Sequence, residues 1–239
     1  MARKQLLITG ASAGIGAACA RLAAPEYDLF LNYRSDTQGA ERVKSDCEAA
    51  GATVTLCQAD VADPDALAAM FATIPRLDAC INNAGIVDRT APVADYDHAR
   101  LRRMFDVNVI GAIMVGRDAA ARMDAGGVIV NVSSAATRLG SGNQYVDYAA
   151  SKAAVDTFTK GFSDEVAPQG IRVMSVRPGL IDTELHAKGG EPGRAQKLAH
   201  MVPLRREARA EEVARPILFL LSDGASYMTG SAIEVTGGR

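Results

Sequence analysis

The sequence has little of several features that mark out whole classes of protein. Its 239 residues include four cysteines, Cys19, Cys47, Cys57 and Cys80. They form no Cys-x-x-Cys pair and have no histidine nearby in the chain, so neither a disulfide framework nor a metal site is expected. Buried apolar thiols in a reducing compartment are expected instead. The three histidines, His98, His186 and His200, are scattered and offer no Ser-His-Asp order. No run approaches the roughly 18 apolar residues of a membrane span. The basic start "MARKQLLITG" reaches a glycine after a few apolar residues, which argues against a signal peptide, and a cytoplasmic location is expected. Neither sign of charge dominates: 26 Lys and Arg face 28 Asp and Glu, a formal net charge of -2. Nucleic acid and membranes are therefore not expected partners. Linkers, repeats and low-complexity tracts are missing too, so residues 1–239 read as one domain.

What is present is an alternation. Short apolar runs such as "QLLIT", "YDLFLNY", "TVTLCQAD", "LDACINNAG", "GGVIVNVSS", "IRVMSVRPG" and "SAIEVTGG" are separated by segments of helical periodicity. Runs that are apolar throughout suit strands buried on both faces. Strand alternating with helix gives an α/β fold with right-handed crossovers: a doubly wound parallel sheet of about seven strands, with helices on both faces. One long irregular stretch, residues 184–208, carries "GGEPG" and reads as a lid over a binding site. Gly189, Gly190 and Gly193 would supply hinge freedom, and Met201, Val202 and Leu204 an apolar underside.

The first run leads into "TGASAGIGAACARL", where Gly10, Gly14 and Gly16 stand between strand and helix. Glycines there let a pyrophosphate approach the backbone, and a helix N-terminus offers free N–H groups to it. This is the Rossmann type of doubly wound sheet. The second run ends "FLNYRSD", where such folds meet the adenosine ribose. It offers Arg34 and Ser35, and no carboxylate before Asp36. A basic residue at that point accepts a 2′-phosphate, so NADP(H) is expected over NAD(H), with NAD(H) use possible. Asp60 in "QADV" reads equally well as an adenine contact or a loop cap, and "NNAG" as a strand end beside a ligand or an ordinary turn.

"YAASK" places Tyr148 and Lys152 one helical turn apart on one face. A phenol with a pKa of about 10 is a sluggish acid–base group, and a neighbouring ammonium favours its ionised form. Tyr145 has no lysine four residues on.

The glycine loop, "NNAG", Asn108 in "FDVNVIG", the serines ending "VIVNVSS", Tyr148-x-x-x-Lys152 and "RPG" occur in an order that resembles the short-chain dehydrogenase/reductase family over nearly the whole chain. Glucose-dehydrogenase-like and β-ketoacyl-reductase-like bacterial members are most similar. The resemblance implies hydride transfer between a nicotinamide and a carbonyl or alcohol carbon of a small-molecule substrate. It implies a tetrad of Asn108, Ser134, Tyr148 and Lys152. Tyr148 would be the general acid–base, Ser134 would bond the substrate oxygen, and Asn108 would hold a water leading to Lys152. Ser134 lies 14 positions before Tyr148, one more than the family's usual spacing, so Ser133 stands as the alternative. Cofactor contacts are implied for Gly10, Ser12, Gly14, Ile15, Gly16, Arg34, Asp60, Val61, Asn83, Ala84, Gly85, Tyr148, Lys152, Pro178, Gly179, Ile181 and Thr183. No metal is implied. A homotetramer, or at least a homodimer, is implied through the helical segment from about Asp95 to Met123 and the helix starting near Asp147. The competing reading is a dinucleotide-binding regulator without turnover. Such a protein has no use for Tyr148 or Lys152, and both are kept.

Overall fold

A computed structural model describes residues 3–183, 190–191 and 193–239. In chain order the strands are β1 (Lys4–Ile8), β2 (Tyr27–Tyr33), β3 (Val54–Gln58), β4 (Leu77–Asn82), β5 (Met123–Val132), β6 (Arg172–Pro178), β7 (Ile181–Asp182), β8 (Ala208–Arg209) and β9 (Ala232–Val235). Seven of them form one sheet in the order β3-β2-β1-β4-β5-β6-β9, and every pairing is parallel. β7 and β8 pair separately. The helices are α1 (Gly14–Ala23), α2 (Thr37–Ala49), α3 (Pro64–Ala72), α4 (His98–Phe105), α5 (Ala112–Ala120), α6 (Ala136–Leu139), α7 (Val146–Val166), α8 (Arg194–Leu198) and α9 (Ala210–Leu221).

The continuous apolar runs follow from two cores. Leu6, Ile8, Leu29, Leu31, Val128 and Val130 face α1, α2 and α9. Their neighbours Leu7, Phe30, Cys80 and Ile129 face α3, α5 and α7. Successive side chains of a strand point to opposite faces, so a strand covered on both sides is apolar at every position. A charge at Leu7 or Ile129, both fully buried, would forfeit about 1.5–3 kcal/mol of apolar burial before any cost of desolvating the charge. All four cysteines are free and buried in these layers. Burial pushes the thiols of Cys19 and Cys80 up to about 12 and those of Cys47 and Cys57 up to about 11, which leaves them unreactive.

Three of the helices start on an Asp cap. Asp36, Asp63 and Asp97 accept backbone N–H groups in the first turns of α2, α3 and α4. Helix α1 starts without one, since Ala13 supplies no side-chain cap. Helices α4 and α5 read as one helix in the sequence, but a π-helical stretch, Asp106–Gly111, joins them. Such widened turns re-aim side chains, and this one holds Asn108. The strand order reverses between β1 and β4, which opens a crevice beyond the carboxyl ends of the sheet.

Candidate active site

A cavity of about 530 Å³ occupies that crevice. At one end lies the glycine loop. Gly10 has φ +65°, which glycine adopts without strain. A Cβ at Gly16 would stand 2.4 Å from Gly10 O, so the loop and the first turn of α1 touch at a distance only glycine allows. The loop is fastened from below. Thr9 Oγ1 accepts Asn83 N at 2.9 Å and Ala84 N at 3.0 Å, while Asn83 Nδ2 donates to Thr9 O at 2.9 Å and Gly10 O at 3.1 Å. The Asn83 side chain thus holds the loop in shape. Thr183 Cγ2 would stand 3.4 Å from a Cβ on Gly14, so Thr183, just after β7, lies against the loop. Gly179 is equally constrained, because a Cβ there would meet Thr236 Cα at 2.8 Å. The uncapped start of α1 and this tight backbone fit the pyrophosphate of a dinucleotide.

Beyond β2 and β3 the cavity wall carries Arg34, Ser35, Asp36, Asp60 and Val61. Asp36 is committed to α2, accepting Gly39 N at 3.0 Å. Arg34 reaches Asp60 Oδ2 at 3.9 Å, with about half its side chain exposed. Asp60 Oδ1 also accepts Ala62 N at 3.0 Å, so it caps its own loop while lining the cavity.

At the other end Ser134, Tyr148 and Lys152 converge. Both serines line the cavity, but they have different partners. Ser133 is buried and donates to Lys152 O at 3.2 Å, whereas half-buried Ser134 hydrogen-bonds the Tyr148 hydroxyl. Lys152 is buried, and its Nζ donates to Val132 O at 2.8 Å and lies 5.8 Å from the centre of the Tyr148 ring. Burial pushes the ammonium down to about 8, against a pull upward from Asp156. The half-buried phenol is held above its ordinary value because protein around the hydroxyl excludes water, with the Ser134 bond pulling it down. Desolvation therefore outweighs the lowering that the Tyr-Lys spacing suggests.

Asn108 lies behind this cluster, not on the cavity wall. Its Oδ1 accepts Ile86 N at 2.8 Å, and its Nδ2 donates to Ile86 O at 2.9 Å and Ser151 Oγ at 3.1 Å. The π turn aims it at this backbone. Gly16 also lies off the wall and acts through packing. The remaining residues expected from the sequence, Gly10, Ser12, Gly14, Ile15, Ala84, Gly85, Pro178, Gly179, Ile181 and Thr183, all line the cavity.

Several positioning groups were not foreseen. Asp147 is fully buried beside Tyr148 and pairs with Arg100 through bonds of 2.7 and 3.2 Å. Arg100 also donates to Arg89 O at 2.8 Å and lies 4.0 Å over the Tyr96 ring. This fixes the start of α7 and hence Tyr148. Across the sheet, Asn82 Nδ2 donates to Asn131 Oδ1 at 3.1 Å, and Asn131 Nδ2 to Thr159 Oγ1 at 2.9 Å, which ties β4 and β5 to α7. Polar residues inside otherwise apolar strands were the signal for that chain.

Of the expected lid, positions 184–189 and 192 lie outside the described residues, including His186 and Gly189. The described part is seated by Val202 and Ala195 against Leu180. Of the expected apolar residues, Met201 and Leu204 are exposed, while Val202 packs with Ala195 and Leu198 against Leu180.

A parallel doubly wound sheet with a glycine loop at its switch point, and a Ser-Tyr-Lys cluster at the far end of the same cavity, defines a dinucleotide-dependent oxidoreductase. The comparisons with known proteins agree. The family model described as enoyl-(acyl carrier protein) reductase matches residues 10–239. The Escherichia coli oxidoreductase YgfF is 47% identical over 98% of this chain and 98% of its own length. The cis-4-hydroxycyclohexanecarboxylate dehydrogenase of Sinomonas cyclohexanicum is 38% identical over 99% and 96%. A short-chain dehydrogenase from Burkholderia cenocepacia, solved in complex with NADP, matches with a TM-score of 0.90 at 31% identity, covering 98% of this chain and 97% of that one. The chain belongs to the short-chain dehydrogenase/reductase family and is an oxidoreductase of that family.

Proposed function

We propose that the protein interconverts a carbonyl and an alcohol on a small molecule, using NADP(H) in preference to NAD(H), with Tyr148 as the proton carrier. The observation that carries this reading is the Ser134–Tyr148 hydroxyl pair beside buried Lys152, at the end of a cavity that begins at the glycine loop. The bound nicotinamide supplies the two-electron redox chemistry. The glycine loop and the start of α1 hold the pyrophosphate, and Gly179, Ile181 and Thr183 hold the nicotinamide end. In reduction, Tyr148 gives its proton to the carbonyl oxygen while Ser134 donates a hydrogen bond to that oxygen as charge develops on it. The raised phenol keeps this proton at neutral pH. Lys152, charged below about 8, then stabilises the tyrosinate until a proton returns. In oxidation the same groups take the alcohol proton. Asn108 holds Ile86 and Ser151 in place behind Lys152.

The NADP(H) preference rests on Arg34. Its ion pair with Asp60 is long and exposed, and such pairs contribute about 0–1 kcal/mol. A 2′-phosphate offers a charge-assisted bond worth about 1.5–3 kcal/mol, and Asp36 is occupied as a helix cap. The test is kcat/KM with NADPH and NADH on a panel of ketones, for wild type and Arg34→Ala. The substitution should cost about ten- to a hundredfold with NADPH and little with NADH. A wild type that favours NADH, or that reduces only enoyl thioesters and no ketone, contradicts the reading.

The lid over the cavity and the homotetramer or homodimer are part of the same proposal. Ile110 and Ile113 are exposed on the π turn and α5, and support pairing with a second copy. Phe158 and Phe162 stack at 5.0 Å and pack on Gly116 of the same chain, so that part of α7 serves the protomer's own core. Light scattering that returns a monomer mass at micromolar concentration removes the assembly.

A further inference from the structure

The substrate end of the cavity carries a cation that the redox chemistry does not use. The charged side chains on the wall are Arg34, Asp36 and Asp60 at the adenosine end, Lys152 beside Tyr148, and Arg194 and Arg239. Among the described residues, the acidic side chains on this wall are Asp36 and Asp60, both at the adenosine end and away from Arg194. Its side chain is 12% exposed. The guanidinium lies 4.9 Å over the ring of Tyr145, and it donates to Glu191 Oε2 at 2.6 Å and to Gln144 Oε1. Tyr145 and Gln144 line the same cavity, three and four residues before Tyr148 in the loop that ends at α7. Glu191 is itself held by the Thr90 hydroxyl.

This arrangement fixes the guanidinium plane, and its hydrogen bonds to described residues use two of its five N–H groups. A planar fork held by stacking and by two hydrogen bonds loses little freedom when it binds a carboxylate, and it matches that group's geometry. We infer that Arg194 recognises a carboxylate on the substrate, so that the preferred substrates are keto acids and the corresponding hydroxy acids. The inference rests on the proposed carbonyl–alcohol activity and deepens it. Glu191 has two opposed effects. Its bond orients Arg194, and its charge competes with the substrate's. The two residues therefore predict opposite results, which a purely structural clasp between α8 and the loop before α7 would not give.

The experiment compares short acyclic keto acids and cyclohexanone carboxylates with their methyl esters, as the acid-to-ester ratio of kcat/KM with NADPH. Wild type should favour the acid, Arg194→Gln should lower the ratio about ten- to a hundredfold, and Glu191→Gln should raise it. A wild type that favours the esters, a ratio unchanged in Arg194→Gln, or a fall in both variants overturns the inference while leaving the carbonyl activity standing. A second arm measures calorimetric binding of cyclohexanecarboxylate, which has no carbonyl to reduce, to the enzyme with NADP. If no carbonyl turns over, the proposed activity fails for these compounds and this arm alone decides the site. Binding weakened in Arg194→Gln supports it, and binding that is absent or insensitive to Arg194 overturns it.

Discussion

The two ends of the cavity are built by different means. At the β1–β4 end the wall is mostly backbone, shaped by glycines and fastened by Thr9 and Asn83. At the far end it is side chain: Ser134, Tyr148 and Lys152 on β5 and α7, with Gln144, Tyr145 and Arg194 on the loop and α8. A backbone wall recognises what every dinucleotide shares. A side-chain wall can be changed residue by residue without altering the sheet. The contrast implies that cofactor binding and substrate choice fail separately when broken.

The largest effect should come from filling the backbone end. Gly16→Val places a branched side chain where even one carbon would stand 2.4 Å from Gly10 O and 2.7 Å from Asn83 Nδ2. Titration with NADPH should then show no binding at concentrations that saturate the wild type. Retained affinity would mean that the loop can relax and that the backbone wall is not rigid.

A smaller loss is expected at the support of the far end. Asp147→Ala leaves the Arg100 guanidinium, 11% exposed, without its buried partner. Breaking a buried pair costs about 3–5 kcal/mol, and denaturant unfolding should show it. Adding Arg100→Leu removes the stranded charge and should restore part of the stability. The double variant should bind NADPH as wild type does and still turn over slowly, because α7 has lost its anchor. A double variant with wild-type kcat would assign the pair to stability alone.

The smallest effect concerns Lys152. Burial holds its ammonium at about 8 against the ordinary 10.5. The unfolded chain therefore binds more protons between these two values, and this group's contribution to stability rises with pH across that window. Below about 8 the fold carries a buried charge, so Lys152→Met should raise Tm at neutral pH while abolishing turnover. The gain should shrink as pH climbs towards 10.5. A gain that is constant with pH would show that the lysine is not desolvated.

The same contrast explains what was legible in the sequence. Strands, the glycine loop and the Tyr148–Lys152 spacing are local patterns, and each appears where its period or composition places it. The seven-stranded sheet follows from apolar runs that two cores require. The choice between Ser133 and Ser134 turns on which hydroxyl meets Tyr148, which a spacing cannot supply. The Thr9–Asn83 fastening, the Arg100–Asp147 pair and the Arg194–Gln144 contact join residues far apart in the chain, and no local pattern announces them. The π turn at Asn108 was hidden for a related reason: the side chain it aims bonds the backbone of Ile86, on another segment. The phenol's direction was misjudged because neighbour spacing shows the charge nearby and not the water excluded.

The central claim is that Tyr148 carries the proton and the backbone end holds the cofactor independently of it. The most direct test is Tyr148→Phe, with NADPH affinity and kcat on a confirmed ketone measured on the same preparation. The account predicts an NADPH Kd within about twofold of wild type and a kcat lower by about 10²–10⁴, the usual contribution of a positioned acid–base group. A variant that keeps kcat within about tenfold of wild type, below the range such a group contributes, would contradict it.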